Sequence, residues 1–206
     1  MAATVTAARD RKRIPAKSLA AADSTGYEAR TVSGYFARRA GRRVHQKRWP
    51  KLTVVLDTAS HFYVAARVTR GPSQDAPHLI PTSRDAVRNG PIDTMLGDAA
   101  YDSEDNHATL REDLGIRSTV IPLNWRGSRK WPKTTYRRRM VRRFRKPPRG
   151  TRSKRRYGQR WQVESGFSRS KRLLGSALRA TKWVNQKAEI LLKVITHNLM
   201  LLAGGA

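Results

Sequence analysis

The sequence predicts an α/β fold in which helices flank one mixed β-sheet. Two Val-rich stretches, residues 52–56 and 62–68, have the composition of neighbouring strands. Residues 103–114 have the pattern of a capped helix, and short strands are expected before and after it. The resulting order of strand, hairpin, helix, strand, helix and strand is typical of a sheet with helices packed on it.

The first three strands are expected in the N-terminal half. We expect residues 1–16 to be a flexible basic lead-in and residues 17–206 to form one domain. Residues 17–22 are a short candidate strand that ends at Asp23. The two Val-rich strands form the hairpin, because residues 57–60 between them have the composition of a turn.

A helix is expected after the hairpin, because Asp75 can cap a short helix that reaches Leu79. A further turn is expected at residues 83–87. Residues 94–97 then form a short strand that ends at Asp98.

The capped helix comes next. Ser103 is its expected cap, acidic residues occupy its first turn, and Gly115 ends it. Residues 117–123 are predicted to form the last strand.

Two longer helices are predicted at the C-terminal end. The first covers residues 154–174 and is ended by Gly175. The second is amphipathic, covers residues 186–202 and has Asn185 as its expected cap.

Residues 126–156 differ in kind from the rest of the chain. Sixteen of these 31 residues are Lys or Arg, and none is acidic. Prolines exclude a continuous helix, so a flexible basic segment that binds a phosphate backbone is expected. Four aromatic residues in and next to this segment could stack on unpaired bases, namely Trp125, Trp131, Tyr136 and Phe144. The expected DNA-binding residues of this segment are Arg137, Arg138, Arg142 and Arg143.

The composition limits the classes of function. The chain carries 43 Lys and Arg against 15 Asp and Glu, a formal charge of +28, which favours nucleic acid as the partner. The absence of cysteine excludes disulfides and thiolate-bound zinc. The longest apolar region, residues 190–203, is too short and too polar to span a bilayer, so we expect no membrane contact and a cytoplasmic protein.

The region around Glu164 combines charges that suit a phosphodiester. If residues 157–171 are one helix, Tyr157, Arg160, Glu164 and Lys171 lie on one narrow stripe, beside an apolar stripe that can pack on the sheet. Cations can bind phosphate, and the carboxylate can bind a metal ion. The alternative is an ordinary amphipathic helix with an ion pair between Arg160 and Glu164.

Two aspartates at strand ends could complete such a site. Asp98 lies between a short strand and a helix, and this position faces the crevice in which α/β sheets bind ligands. Asp23 follows the first candidate strand. Either residue could instead belong only to a turn.

These residues resemble the motifs of a known family. The spacing from Tyr157 through Arg160 and Glu164 to Lys171 matches the Y-R-E-K motif of insertion-sequence DDE transposases, whose catalytic domain is ribonuclease H-like. Gly-Asp-Ala-Ala-Tyr-Asp at residues 97–102 resembles the second block of the family and Asp-Ser-Thr-Gly its first. The resemblance covers roughly residues 20–202.

The resemblance implies a ribonuclease H-like sheet and a catalytic triad of Asp23, Asp98 and Glu164 that binds two divalent ions. Carboxylates suit Mg²⁺, with Mn²⁺ as the alternative. The implied enzyme is an endonuclease and strand transferase that cuts DNA at the ends of an insertion sequence and joins it to target DNA. The remaining three residues of the motif would hold phosphates, a dimer would pair the two ends, and the protein would associate with the nucleoid.

Several alternatives stay open. Asp57 also ends a strong strand and could be the first carboxylate, although a ribonuclease H-like sheet then has one strand too few. Asp102 and Glu104 could support the site, but they also suit a helix start. The chain could be a truncated, non-catalytic DNA-binding remnant, since only 22 residues precede Asp23, or a nuclease without strand transfer.

Overall fold

A computed structural model describes residues 1–29, 39, 41, 49–125, 131–145 and 157–204. Its centre is a five-stranded sheet of order β3-β2-β1-β4-β5. The strands are β1 (Leu19–Gly26), β2 (Pro50–Asp57), β3 (Tyr63–Arg70), β4 (Thr94–Leu96) and β5 (Ser118–Val120).

Strand direction divides the sheet into two parts. The first three strands are antiparallel, whereas β4 pairs in parallel with both β1 and β5. The predicted mixed α/β class and the predicted strand order along the chain are therefore confirmed, and the topology is compatible with a ribonuclease H-like fold. Strand β1 extends past Asp23 to Gly26, because residues 23–26 continue the pairing with β2. Strand β5 is shorter than expected, since its parallel partner has only three residues.

Helices cover both faces of the sheet. Six α-helices lie wholly within the described residues: α1 (Ala2–Asp10), α2 (Ala76–Arg88), α3 (Glu104–Ala108, continued by a π-helical turn over Thr109–Asp113), α4 (Thr135–Arg145), α5 (Trp161–Leu174) and α6 (Trp183–Leu202). One core cluster joins the sheet to α1, α2 and α3, and the other joins it to α5 and α6.

The N-terminal residues differ from the expected lead-in. Helix α1 occupies this segment, and its Val5 and Ala8 are fully buried. The guanidinium of Arg9 binds the backbone carbonyls of Asn89 and Pro91 at 3.0 and 3.2 Å. The sequence did not predict this helix, which supplies apolar side chains to the core.

Helix α2 replaces the predicted short helix and turn. It runs without interruption past Pro81, and the Thr82 hydroxyl donates to the His78 carbonyl within it. Burial of Leu79 and Ala86 on one face holds the two halves together.

The capped helix at Ser103 is confirmed. The Ser103 hydroxyl accepts a hydrogen bond from the backbone N–H of Asn106 at 3.0 Å. Gly115 follows the helix and has a φ of 66°.

The two C-terminal helices begin elsewhere than predicted. Helix α5 begins at Trp161, because a turn at residues 159–160 follows Gly158, and glycine weakens a helix interior. Helix α6 begins at Trp183, so Asn185 lies inside it and does not cap it.

The basic segment contains a helix in its centre. Helix α4 lies between the expected proline breaks, and its Met140 and Val141 are buried. The rest of the segment, residues 126–130 and 146–156, lies outside the described residues.

Candidate active site

Asp23 lies on β1 at the edge of the sheet where β4 ends, two residues beyond Ala21, which pairs with Leu96 at the end of β4. Its Oδ1 accepts a hydrogen bond from the backbone N–H of Ser24 at 2.8 Å. Burial raises the pKa of the Asp23 carboxyl, and the charges of Asp98 and Glu164 act in the same direction. The Ser24 hydrogen bond and the positive charge of Arg160 partly oppose this shift.

Asp98 follows β4 at the same edge. Because β1 and β4 are parallel and Ala21 pairs with Leu96, the chain leaves β4 beside the part of β1 that carries Asp23. Asp98 caps a 3₁₀ turn over Ala99–Tyr101, and its Oδ1 accepts from the backbone N–H of Ala100 at 3.2 Å. The buried Tyr101 hydroxyl lies 3.4 Å from the Ser24 hydroxyl, which links this turn to β1.

Glu164 lies in the first turn of α5, which crosses the sheet close to β1. Gly166 permits this approach, since a Cβ atom there would lie 2.5 Å from Cδ1 of Leu56. Val163 and Phe167 of the same helix are buried against the sheet. Glu164 itself stays on the open side of the helix, with 58% of its side chain exposed.

Arg160 connects the three carboxylates. Its Nη1 lies 3.1 Å from Oδ2 of Asp23 and 4.0 Å from Oδ2 of Asp98. Its Nη2 donates to Oε1 of Glu164 at 2.9 Å. Burial alone would lower the pKa of Arg160, but the negative charges of these partners, together with Tyr157, raise it above its ordinary value. Three carboxylates from distant parts of the chain therefore face one guanidinium.

The other two residues of the candidate motif lie on either side of this cluster. Nζ of Lys171 donates to Oγ1 of Thr25 at 2.7 Å and to the carbonyl of Gly26 at 2.8 Å, so it fastens α5 to the end of β1. Burial lowers the pKa of the Lys171 ammonium. Tyr157 lies before α5, where its ring meets that of Phe144 edge-on at 5.2 Å between centroids.

The four arginines predicted to bind DNA have different surroundings on α4. Arg138 and Arg142 are exposed on one side of the helix. Arg137 forms an ion pair of 2.9 Å with Asp102, whose side chain is fully buried. Arg143 is half-buried. Two of the four therefore present open cations, whereas Arg137 anchors the helix to the protein.

Asp57 belongs to the hairpin turn at the opposite end of the sheet, since it pairs with Ala20 near the start of β1. Its Oδ2 accepts from the Ser18 hydroxyl at 2.6 Å. Its Oδ1 accepts from the backbone N–H and the hydroxyl of Ser60 at 2.9 and 2.6 Å. These bonds occupy a fully buried carboxylate, so Asp57 is not part of the carboxylate cluster.

The carboxylate chemistry suits a hard divalent cation, but the present spacing does not. Within the described residues, no group of three acidic, histidine or cysteine side chains is close enough to hold one ion. The guanidinium of Arg160 stands among the three carboxylates instead. The three carboxylates thus approach one guanidinium at one edge of the sheet, and ligation of a metal by all three would need a rearrangement around Arg160.

Helix α4 is held beside this site by contacts that the sequence did not reveal. The Glu104 carboxylate accepts from the backbone N–H groups of Tyr136 and Arg137 at 2.8 and 2.9 Å. Tyr136 also donates its hydroxyl to Glu112 at 2.6 Å and is flanked by the guanidinium of Arg111. The sequence contains a signal for these contacts, because the acidic residues within 102–113 are electrostatic partners for the arginine-rich segment.

Comparison with known proteins agrees with these features. A family model described as "Transposase DDE domain" matches residues 14–199. No curated protein and no solved structure matches the chain. Within the described residues, no helix is both long and apolar enough to cross a membrane. Because the family model covers most of the sequence, the chain belongs to the transposase DDE domain family.

Proposed function

We propose that this chain is a DNA transposase that cuts the ends of an insertion sequence and joins them to target DNA, with Asp23, Asp98 and Glu164 as its catalytic carboxylates. The observation that supports it is their approach to one guanidinium at an open edge of the sheet. A family whose members move DNA, and a chain of charge +28, support DNA as the partner.

Each element has a part in this proposal. Strand β1, the turn after β4 and helix α5 each bring one carboxylate from a rigid support. Divalent ions, Mg²⁺ or Mn²⁺, would supply charge stabilisation to the attacking and leaving oxygens when bound between these carboxylates. Tyr157, Arg160 and Lys171 form a Y-R-E-K motif with Glu164 and hold DNA phosphates close to the scissile bond.

Exposed arginines of α4 extend the DNA path beyond the carboxylates. Arg138 and Arg142 are one helical turn apart and face solvent, so they can bind successive backbone phosphates. Tyr136 and Phe144, which the sequence suggested for base stacking, make contacts within the protein. We therefore assign α4 to phosphate contact and not to base stacking. A dimer on paired DNA ends and association with the nucleoid are further parts of the proposal.

The test is a cleavage and joining assay on duplex DNA that carries the ends of the element, with Mg²⁺ or EDTA. We expect Asp98→Asn and Glu164→Gln to lose more than about 100-fold in activity. Even the substitution of a residue that only hydrogen-bonds to a metal ligand typically lowers activity roughly 10- to 100-fold. The matched control is Asp105→Asn, an exposed acid on α3 outside the site, which should keep wild-type activity.

Three other outcomes would change the assignment. Cleavage without joined products would indicate a nuclease. DNA binding without metal-dependent cleavage in the wild type would favour the alternative function, a non-catalytic basic DNA-binding protein. Equal loss in Asp105→Asn and the two site variants would indicate a general defect of folding.

A further inference from the structure

Among the residues that the structure describes, one protein cation, Arg160, pairs with the carboxylate cluster. One guanidinium nitrogen of Arg160 faces Asp23 and Asp98, and the other donates to Glu164. Three carboxylates and one guanidinium leave a local excess of two negative charges.

The two aspartates already have fixed orientations. Oδ1 of Asp23 is bound by the N–H of Ser24, and Oδ1 of Asp98 by the N–H of Ala100. In both residues Oδ2 is therefore the oxygen directed at Arg160. The guanidinium thus stands between the three carboxylates, which would have to close around an ion once it leaves.

The cluster is open on one side. Asp98 and Glu164 have 48% and 58% of their side chains exposed, whereas Arg160 has 20%. Arg160 immediately precedes α5 and contributes no side-chain cap to it. Its side chain can therefore move outward without disturbing the buried face of the helix.

We propose that Arg160 is an exchangeable counter-ion, which holds Asp23, Asp98 and Glu164 together in the absence of metal and must leave them before a divalent ion binds. The inference rests on the proposed function, since it takes these carboxylates as ligands. Once displaced, the guanidinium remains beside the site and is free to bind a DNA phosphate. Ion entry and phosphate binding by Arg160 would then favour each other.

The experiment measures Mn²⁺ binding by calorimetry on the full chain without DNA, for wild type, Arg160→Gln and Arg160→Lys. Arg160→Gln should bind Mn²⁺ roughly tenfold more tightly or better, because a positive charge about one ion-pair distance from the ion is removed. Arg160→Lys keeps a charge and should stay closer to wild type. The matched control is Arg172→Gln, an exposed arginine of the same helix, which removes one charge away from the cluster.

A second readout is thermal stability. Without metal, Arg160→Gln should melt at a lower temperature than Arg172→Gln, since three carboxylates lose their counter-ion, and Mn²⁺ should raise its melting temperature more than that of wild type. Circular dichroism establishes that the variant is folded, and Arg160→Lys provides the comparison if it is not.

The outcomes separate the inference from the proposed function. Equal or weaker Mn²⁺ binding by folded Arg160→Gln, with clear binding by wild type, overturns the counter-ion role and leaves the metal site intact. Absence of binding by wild type and by every Arg160 variant overturns both. Equal tightening in Arg172→Gln would mean that only net charge matters, which also overturns the inference.

Discussion

Asp23 and Asp57 lie on neighbouring strands, but their carboxylates have opposite surroundings. Asp57 is enclosed by hydrogen bonds from its own turn and from Ser18. Asp23 has one oxygen bound by backbone and the other facing Arg160. Both positions could be predicted from the sequence as acids associated with strands. Which one is enclosed depends on the antiparallel pairing of β1 with β2, which residue types alone do not specify.

A second residue with unusual surroundings is His107 on α3. It is fully buried, and its Nδ1 lies 2.7 Å from the Thr119 hydroxyl. Burial lowers the pKa of His107, and the positive charges of Arg111 and Arg137 lower it further. The negative charges of Asp102 and Glu104 raise it, but they only partly offset this shift. The unfolded chain therefore binds a proton more readily than the folded chain at mildly acidic pH.

Stability should consequently fall as the pH decreases through about 6.5, the ordinary pKa of histidine, toward the lower pKa of folded His107. His107→Asn should show a smaller loss between pH 7.5 and pH 5 than wild type in urea denaturation. The raised pKa of Asp23 acts in the opposite direction but is common to both proteins, so it cancels in the difference. An unchanged pH dependence in the variant would contradict this role of His107.

At the scale of elements, helix α4 depends on acidic residues elsewhere in the chain. Its many arginines repel one another, and its first turn contains no acidic residue. Glu104 supplies the missing acceptor from α3, and Asp102 neutralises Arg137. The sequence indicated the charge of this segment and its proline boundaries. The helix could not be predicted, because its acidic partners are 24 to 35 positions away along the chain.

Glu104→Ala should therefore loosen α4. Loss of a capping acceptor costs about 0.5–2 kcal/mol, so we expect trypsin to cleave after arginines 137–143 roughly fivefold faster. Mass spectrometry of early fragments measures this rate. Trypsin should cleave Asp105→Ala, which lacks a neighbouring exposed acid, at the wild-type rate. Equal rates in all three proteins would show that Glu104 does not hold α4.

The pKa of Glu104 gives the same contact a pH dependence. Burial would raise it, but the hydrogen bonds from the backbone of Tyr136 and Arg137 lower it below the ordinary value. The stabilisation of α4 by this carboxylate is therefore complete above pH 4.5 and is lost as the pH falls through the lowered pKa.

At the scale of the whole molecule, several acids are engaged in internal contacts, while many cations face outward. Asp85, Asp93 and Asp102 all form ion pairs with arginines. Arg138 and Arg142 remain exposed on α4. A net positive field of this kind attracts DNA over distances comparable to the Debye length. Composition alone predicted the partner, whereas the position of the open cations required the fold.

The salt dependence of DNA affinity should report these cations. Substitution of Arg138 and Arg142 by Gln should reduce the slope of log affinity against log salt concentration by about 2, since each phosphate contact contributes roughly 0.9. Fluorescence anisotropy with a labelled duplex measures the slope. The control is a double substitution of exposed arginines outside α4, Arg88→Gln on α2 with Arg172→Gln on α5, which removes the same charge. Equal slopes in the two double variants would mean that α4 has no special part in binding.

The unequal strands of the sheet have a consequence for the motion of the site. Strands β1, β2 and β3 each contain eight residues, whereas β4 and β5 contain three. Fewer ladder hydrogen bonds must break to detach the short strands, so amide hydrogens there should exchange with solvent sooner than those of the long hairpin. Asp23 thus lies on a long strand, β1, whose amides should exchange slowly. Asp98 follows the short strand β4, whose amides should exchange faster. Adjustments of the site to its substrate should come mainly from the Asp98 side.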